Sequence, residues 1–402
     1  MFRNVPVPDS AILYRDASSS VALLDIPMSI ALAQGTGGGF PLKRLMSCVP
    51  LQQPYHSNEP KSDAARAKLS QSNEEEIRID QGIQSLVSEA LSKIQDVHNG
   101  RWCLDRWVTS QPEHTPLPWT PISGSPQSTI MPPLILSAHM NQVSSYDEIH
   151  DQLVWNPTNG PTVLKVEKAN FIIPPLCYFL PSRVEHSQSV FAHMATNLLP
   201  STPSCNVGEF DFMLLDPPWP NRSVRRSKSY MTSESQSADP WTSVSRFLNR
   251  HLAISGLIGV WITNKPSIRN EVLKTFREWK VLLIEAWVWV KTTAAGEPIL
   301  PLDGIWRKPY EILLLGRKME DVPVQWPSLS PFPAEVCMRV IAAVPDLHSR
   351  KPCVKELIET YFQYKQYRAL EVFARNLTEG WWSWGDEVLK FNLEHNWETV
   401  DS

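Results

Sequence analysis

The chain has 402 residues, 42% of them hydrophobic, with 38 Lys and Arg against 42 Asp and Glu and a net charge of −4. This is long for one domain and short for three, with enough apolar content for a sizeable core, and its acidic balance excludes a uniformly basic nucleic-acid coat, so contact with nucleic acid has to come from a local patch. The six Cys are scattered without a Cys-x-x-Cys pair, which excludes a zinc ribbon and a disulfide framework and fits a reducing compartment.

Two strand-like runs open the chain, Ala11-Ile12-Leu13-Tyr14 and Val21-Ala22-Leu23-Leu24-Asp25-Ile26, within a segment 1–55. Gly35-Thr36-Gly37-Gly38-Gly39 breaks the pattern; it lacks a following Lys-Ser/Thr, so a flexible turn is favoured over a phosphate loop. Residues 56–72 are polar without an apolar period and read as a linker. A helix is predicted from Ser72 to Gly100. Ser72 is a capping residue, and Glu74, Glu75 and Glu76 suit the positive end of the helix dipole. Ile77, Ile79, Ile83, Leu86, Val87, Leu91 and Ile94 form an approximate apolar face, which suits packing or a partner better than catalysis. Residues 111–133, rich in Pro, Ser and Thr, read as a loop, and Ser145–Leu153 as a short helix within a helical or irregular region 73–160.

From residue 161 to 402 the pattern changes. Strands are predicted at Val163–Val166, Phe171–Ile173, Phe212–Leu215, Leu257–Ile262, Leu282–Trp289, Glu311–Gly316 and Leu370–Ala374, with helices around 241–252, 267–278 and 352–364. Alternating strands and helices imply an α/β fold with a doubly wound, mostly parallel sheet. No apolar run reaches the roughly 18 residues of a membrane span, and the opening Met1-Phe2-Arg3-Asn4-Val5-Pro6 lacks an apolar signal core. Cytosol or nucleus is therefore expected.

The predicted strand Phe212–Leu215 runs into Asp216-Pro217-Pro218-Trp219. Ligands of α/β sheets sit at such strand tips. The combination suits modification of an exocyclic amine on a flat base. The N6 lone pair of adenine is delocalised into the ring; a carboxylate (Asp216) and a fixed carbonyl (Pro217) that accept both N–H bonds would localise it. Two prolines fix φ and remove donors, and the Trp219 ring can stack on a base. His and Cys do not cluster at metal-ligand spacing, so no metal is expected.

The tetrapeptide resembles the signature of the DPPW-type N6-adenine methyltransferases of the MT-A type. Further segments match in order. They are Phe171-Ile172-Ile173-Pro174-Pro175, Asn221–Tyr230, Trp261-Ile262-Thr263-Asn264, Trp287–Thr292, Lys308-Pro309-Tyr310-Glu311, Ser349-Arg350-Lys351-Pro352, Leu370–Asn376 and Gly380–Glu387. The Asn-Arg-Ser-Val-Arg-Arg-Ser and Phe-Ala-Arg-Asn runs resemble the methyltransferase-like protein four branch. The likeness spans roughly residues 165–395 and implies a Rossmann-like methyltransferase domain, a nuclear location and S-adenosylmethionine as donor.

The donor's ribose needs an acceptor at a strand end and its carboxylate a cation; Glu371 and Arg375 are of the right types. The resemblance carries cofactor roles onto Lys351, Arg375, Asn376, Asp386 and Glu387. Without it, Arg375 in a surface salt bridge and Glu371 as a buried paired acid stay open. Asp386 stands where the family usually has Asn, keeping an acceptor and losing a donor, and Ser182 stands where an Asp is common. Phe373-Ala374-Arg375-Asn376 replaces a glycine-rich donor loop, in keeping with a family that places the catalytic strand before the donor-side strand.

Arg222, Arg225, Arg226 and Lys228 put four cations in seven residues directly after the tetrapeptide, and phosphate contact is favoured over a solvated face. Tyr230 could close over the base. Asn264, Lys291, Lys308 and Glu311 end or follow strands and could line the pocket, a core or capping role being the alternative. The expected reaction is methylation of an unpaired or flipped-out adenine in RNA, with small nuclear RNA carrying 2′-O-methyladenosine as first choice. DNA as substrate and a non-catalytic nucleic-acid-binding subunit stay open, as does any protein partner of the N-terminal region.

Overall fold

The computed structural model describes residues 9–35, 43–56, 74–108, 130–219, 240–304, 307–321, 336–347, 350–362 and 366–399. In chain order its strands begin with β1 (Ile12–Arg15), β2 (Val21–Leu24), β3 (Lys43–Ser47), β4 (Trp107–Val108), β5 (Leu134–Ile135), β6 (Asn141–Val143), β7 (Val154–Trp155), β8 (Thr162–Val166) and β9 (Ala169–Ile173). They continue with β10 (Tyr178–Pro181), β11 (Phe210–Leu215), β12 (Leu252–Ile262), β13 (Val281–Lys291), β14 (Tyr310–Lys318), β15 (Cys337–Ala343), β16 (Ala369–Val372), β17 (Trp382–Gly385) and β18 (Trp397–Thr399). The helices are α1 (Ile26–Ala33), α2 (Glu74–Val97), α3 (Gln188–Leu198), α4 (Pro240–Leu248), α5 (Pro266–Glu278) and α6 (Lys355–Ile358).

β11 is buried at every position except half-buried Asp211. A strand covered on both faces has no polar side to alternate, so it reads as an apolar run and belongs inside a parallel sheet. That sheet has the order β1-β2-β15-β13-β14-β12-β11-β16-β17-β10-β7-β5. From β2 to β10 every neighbouring pair is parallel except at β14, which lies antiparallel between β12 and β13. Helices cover both faces. Ile83, Val87, Leu91 and Ile94 of α2 and Phe191 of α3 join Phe210, Met213 and Leu215 on one side. Ile26 and Ile30 of α1 and Ile358 of α6 join Leu214, Trp261, Trp287 and Trp381 on the other. The expected doubly wound α/β sheet is present.

The order of strands decides where a ligand goes. β11 has β12 on one side and β16 on the other. From β11 the chain runs outward to β12 and beyond, and it returns to β16 only later. At such a switch point the loops diverge and leave a crevice beyond the carboxyl ends of the strands.

Several expectations change in detail. The run 21–26 ends as a strand at Leu24, because Asp25 accepts from Met28 N and caps α1 with Pro27 in its first turn. The expected strand 370–374 stops at Val372, since Phe373 takes a left-handed backbone with φ 61°. The helix expected at 352–364 is only the single turn α6 followed by a 3-10 turn at Glu359–Tyr361. The helix at Ser145–Leu153 is a 3-10 turn, Tyr146–Glu148, with a Ser145–Glu148 capping box. α2 buries its expected stripe from Ile83 onward, but Ile77 is exposed; the capping residue Ser72 and most of the linker 56–72 lie outside the described residues. β10, β15, β17 and α3 carried no expectation.

The N-terminal segment shares the main sheet, because β2 pairs with β15. The stretch after α2 is tied in as well: Trp102 is buried against the turn at Gly296, where an added Cβ would lie 2.4 Å from the indole. Gly296 also has φ 87°. An L side chain would meet both a left-handed backbone penalty of ~1–2 kcal/mol and overpacking of ~1–3 kcal/mol. Gly296→Ala is therefore expected to destabilise the fold by about 2–5 kcal/mol in urea unfolding. A loss below about 0.5 kcal/mol would show that this turn and Trp102 are not rigidly packed.

Candidate active site

β11 and β16 pair with Leu214 opposite Glu371 and Leu215 opposite Val372. With a strand period of two, Leu214, Asp216 and Glu371 come to one face, where Trp261 of β12 joins them in an open cleft with a cavity volume of about 40 Å³. Lys351, Arg375, Asn376, Cys353, Trp381 and Phe391 complete its wall. Left-handed Phe373 turns the chain sharply after β16, and Arg375 swings back toward Asp216. That turn costs about 1–2 kcal/mol in a non-glycine residue, and strain of this kind concentrates at ligand sites.

The charged groups form one alternating chain. Lys291 Nζ lies 2.6 Å from Glu311, and Glu311 lies 2.8 Å from Lys351 Nζ. Lys351 Nζ lies 3.2 Å from Asp216 Oδ1, while Arg375 lies 3.2 Å from Asp216 Oδ2 and 3.2 Å from Glu387. Lys390 closes the far end, 2.7 Å from Glu387. Burial works to raise the Glu311 carboxyl, but the two lysines override it and hold it at about 2. Burial opposes the Lys351 charge, yet Asp216 and Glu311 keep its ammonium above the ordinary range.

Glu371 is the exception in this chain. Among the described residues no hydrogen-bonding group meets its carboxyl. Burial, reinforced by the Asp216 charge and only partly opposed by Arg375, pushes it up to about 8. A half-buried acid that lines a cleft without a hydrogen-bond partner among the described residues suits hydroxyl groups of a ligand better than a structural ion pair. Asp386 is also raised, by burial and by Glu387.

The proline-rich tip adopts a tight turn. The Pro217 carbonyl accepts from Trp219 N at 2.7 Å, which leaves its second lone pair for a ligand; Pro218 is exposed. The stacking role expected of Trp219 meets a different geometry. Its ring is buried, its Nε1 donates to Trp261 O at 2.7 Å, and it lies tilted 5.6 Å from Trp241. A large apolar ring with one donor is best satisfied inside, with the donor on a carbonyl, and there it pins the turn to β12.

The other expected pocket residues divide. Asn264 donates to Tyr310 O at 2.5 Å and joins the end of β12 to the start of β14. Lys308 pairs with Asp80 of α2 at 3.1 Å, the structural role left open for it. Arg222, Arg225, Arg226, Lys228 and Tyr230 lie outside the described residues. Ser182 is fully buried and donates to Asp151, whose backbone is left-handed at φ 58°. A carboxylate thus does reach this strand end, from a distant segment that no motif marked. Trp261 stood within a matched segment but was not singled out, and Phe391 belongs to none. Among the described residues no group of three or more His, Cys, Asp or Glu is placed to hold a metal ion, and no helix is long and apolar enough to cross a membrane.

Glu371 generates a pH prediction. Its folded pKa of about 8 lies above its ordinary 4.5. Its contribution to stability is therefore fully present below about 4.5 and is lost as pH rises through about 8. Glu371→Gln, which keeps the shape and cannot ionise, should gain in Tm over wild type as pH is raised from about 5 to about 8.5. A Tm difference that does not change with pH would refute the assignment.

Residues 210–387 match the MT-A70 family, a span that runs from β11 through Glu387 and contains Asp216, Lys351, Glu371 and Arg375. Two fungal proteins named "N6-methyladenosine RNA methyltransferase MTA1" are similar over nearly their whole length. That of Cryphonectria parasitica is 32% identical over 96% of this chain and 94% of its own. That of Pyricularia oryzae is 30% identical over 98% of both chains. The mouse "N(6)-adenine-specific methyltransferase METTL4" is 33% identical over 61% of this chain and 48% of its own. With the switch-point cleft, the acid at its tip and this likeness along the whole sequence, the chain belongs to the MT-A70 family.

Proposed function

We propose that this protein is an S-adenosylmethionine-dependent N6-adenine methyltransferase that acts on RNA. The observation that carries the reading is the Asp216 carboxylate, held by Lys351 and Arg375 at the mouth of a cleft whose other acid, Glu371, has no hydrogen-bond partner among the described residues. The full-length fungal relatives, named for RNA N6-methyladenosine, support the choice of RNA.

The residues divide the work. Glu371 offers its carboxyl to vicinal hydroxyls, and Arg375 and Lys351 offer cations to a carboxylate. Asn376, Asp386 and Glu387 finish that side. Bound there, the donor supplies an electrophilic methyl on a sulfonium. Asp216 and the free lone pair of the Pro217 carbonyl accept the two N–H bonds of the adenine amine, so the nitrogen lone pair turns toward the cleft. Lys291, Glu311 and Lys351 keep Asp216 in register. Catalysis of this kind is chiefly positioning, and it requires an unpaired or extruded base. The basic run from Arg222 to Lys228 would hold the flanking phosphates. Within RNA, the branch resemblance points to an internal 2′-O-methylated adenosine.

Asp216→Asn removes an acceptor for the amine without changing size. Methyl transfer to RNA should fall by about 10² or more, while donor binding measured by calorimetry is retained. Turnover within a few-fold of wild type would refute the role of Asp216. Matched RNA and DNA oligonucleotides, with and without a 2′-O-methyl on the target adenosine, read the substrate. Equal turnover of RNA and DNA would reject recognition through the 2′ position.

A further inference from the structure

Lys351 touches both Asp216 and Glu311, yet it lies in the connection between β15 and α6 and not on a strand. Something has to hold that connection, because a lysine has four rotatable bonds and a charge that water would stabilise better than a half-buried cleft. The holding groups come from the other end of the chain. Asp346 has a side chain with no exposed surface, between Arg106 and Arg350, which are exposed by 2% and 1%. Arg106 donates to Asp346 Oδ1 at 3.2 Å, to Pro345 O at 2.9 Å and to Val344 O at 2.8 Å. Cys48 N donates to the same Asp346 Oδ1 at 3.0 Å. Arg350 donates to Asp346 Oδ2 and, at 2.7 Å, to Met46 O.

Just beyond Lys351 the chain is fastened again. Cys353 N donates to Ser29 Oγ of α1 at 3.0 Å. Arg350 also stacks over Phe391, 4.6 Å from its centroid, and Phe391 lines the cleft. The connection carrying Lys351 is therefore gripped on both sides by residues 29 to 106. Asp25, which accepts from Leu104 N at 2.9 Å, lies within electrostatic range of Arg106 and Asp346. Two buried arginines thus share the one buried carboxylate of Asp346. Leaving any one charge unpaired in such a cluster is expensive.

We propose that Arg106, through Asp346 and Arg350, is a positioning residue for Lys351, so that the N-terminal region sets the geometry of the cleft. The proposal rests on the reading that Lys351 serves the donor side of that cleft. Arg106 touches neither reactant; its guanidinium fork holds Asp346 together with two successive carbonyls of the connection. A lysine at 106 keeps the charge but cannot reach the three acceptors at once.

Arg106→Lys in the full chain tests this with two readouts. The first is labelling of Lys351 by a small amine-acylating reagent, read by mass spectrometry against Lys390; it needs no assumption about the donor. Labelling of Lys351 should rise several-fold. The second is methyl transfer, which should fall by roughly 10- to 100-fold, the scale expected when a contact group is misplaced by about 1 Å. In a Lys351→Ala background the Arg106→Lys change should add little further loss of turnover, because its effect passes through Lys351. Unchanged labelling and turnover in a folded variant would overturn the proposal, and so would losses that simply multiply in the double variant. Should Arg106→Lys fail to fold, Arg350→Lys loosens Asp346 from the other side and is read in the same way. If wild type shows no methyl transfer to adenine at all, the enzymatic reading fails while the labelling result still decides the clamp.

Discussion

The cleft depends on keeping several like charges apart in a small, partly dry space. Asp216, Glu311, Glu371 and Glu387 all approach it, and in a medium of low dielectric their mutual repulsion would open it. Cations placed between neighbours solve most of the problem: Lys351 separates Glu311 from Asp216, and Arg375 separates Asp216 from Glu387. Each carboxylate in that chain has a partner in contact. Glu371 is not separated in this way from Asp216, and the remedy there is protonation. The two acids nearest the proposed reaction thus differ in character because their surroundings differ, the usual way one fold assigns different roles to identical groups.

This arrangement needs elements far apart in sequence to arrive together. Asp216 directly follows β11, Glu311 lies on β14, Lys351 on the connection after β15, and Arg375 follows β16. The sheet fixes the first two through regular register. Lys351 lacks that support, and the buried aspartate between Arg106 and Arg350 supplies a substitute. A buried ion cluster is a weak source of stability compared with apolar packing. Its retention here fits a demand for one defined geometry.

Much of this was legible before any coordinates. The fold class followed from strands alternating with helices, and the sheet interior from apolar runs such as Phe212–Leu215 and Leu257–Ile262. Asp216, Lys351, Glu371, Arg375 and Asn376 could be gathered because each sits in a motif of recognisable chemistry, and the cleft does bring them together. What escaped had no local pattern. Trp219 reads as a stacking platform, but burial is decided by Trp241 and the Trp261 carbonyl, which are distant in sequence. Lys308 read as a pocket residue or a core or capping one, and nothing nearby marks Asp80 as its partner. Asp151 and Asp346 are single acids in unremarkable stretches, and it takes tertiary packing to bring Ser182 to the one and Arg106 to the other. The strand expected through Ala374 failed at Phe373, since a left-handed turn in a phenylalanine has no propensity behind it.

The strand order also shapes how the molecule comes into being. β2 pairs with β15, more than 300 residues downstream in contacts such as Val21 with Val340, and β11 gains its second neighbour only when β16 has been made. During synthesis the central strands therefore wait with one edge bare, and apolar edges of that kind invite association with other chains. Such distant pairings also slow folding, because long loops must close before they are rewarded. A chain ending before residue 369 would lack β16 and β17 and, with them, half of the cleft. Premature termination ahead of β16 should thus leave a sticky, inactive fragment and not a weaker enzyme.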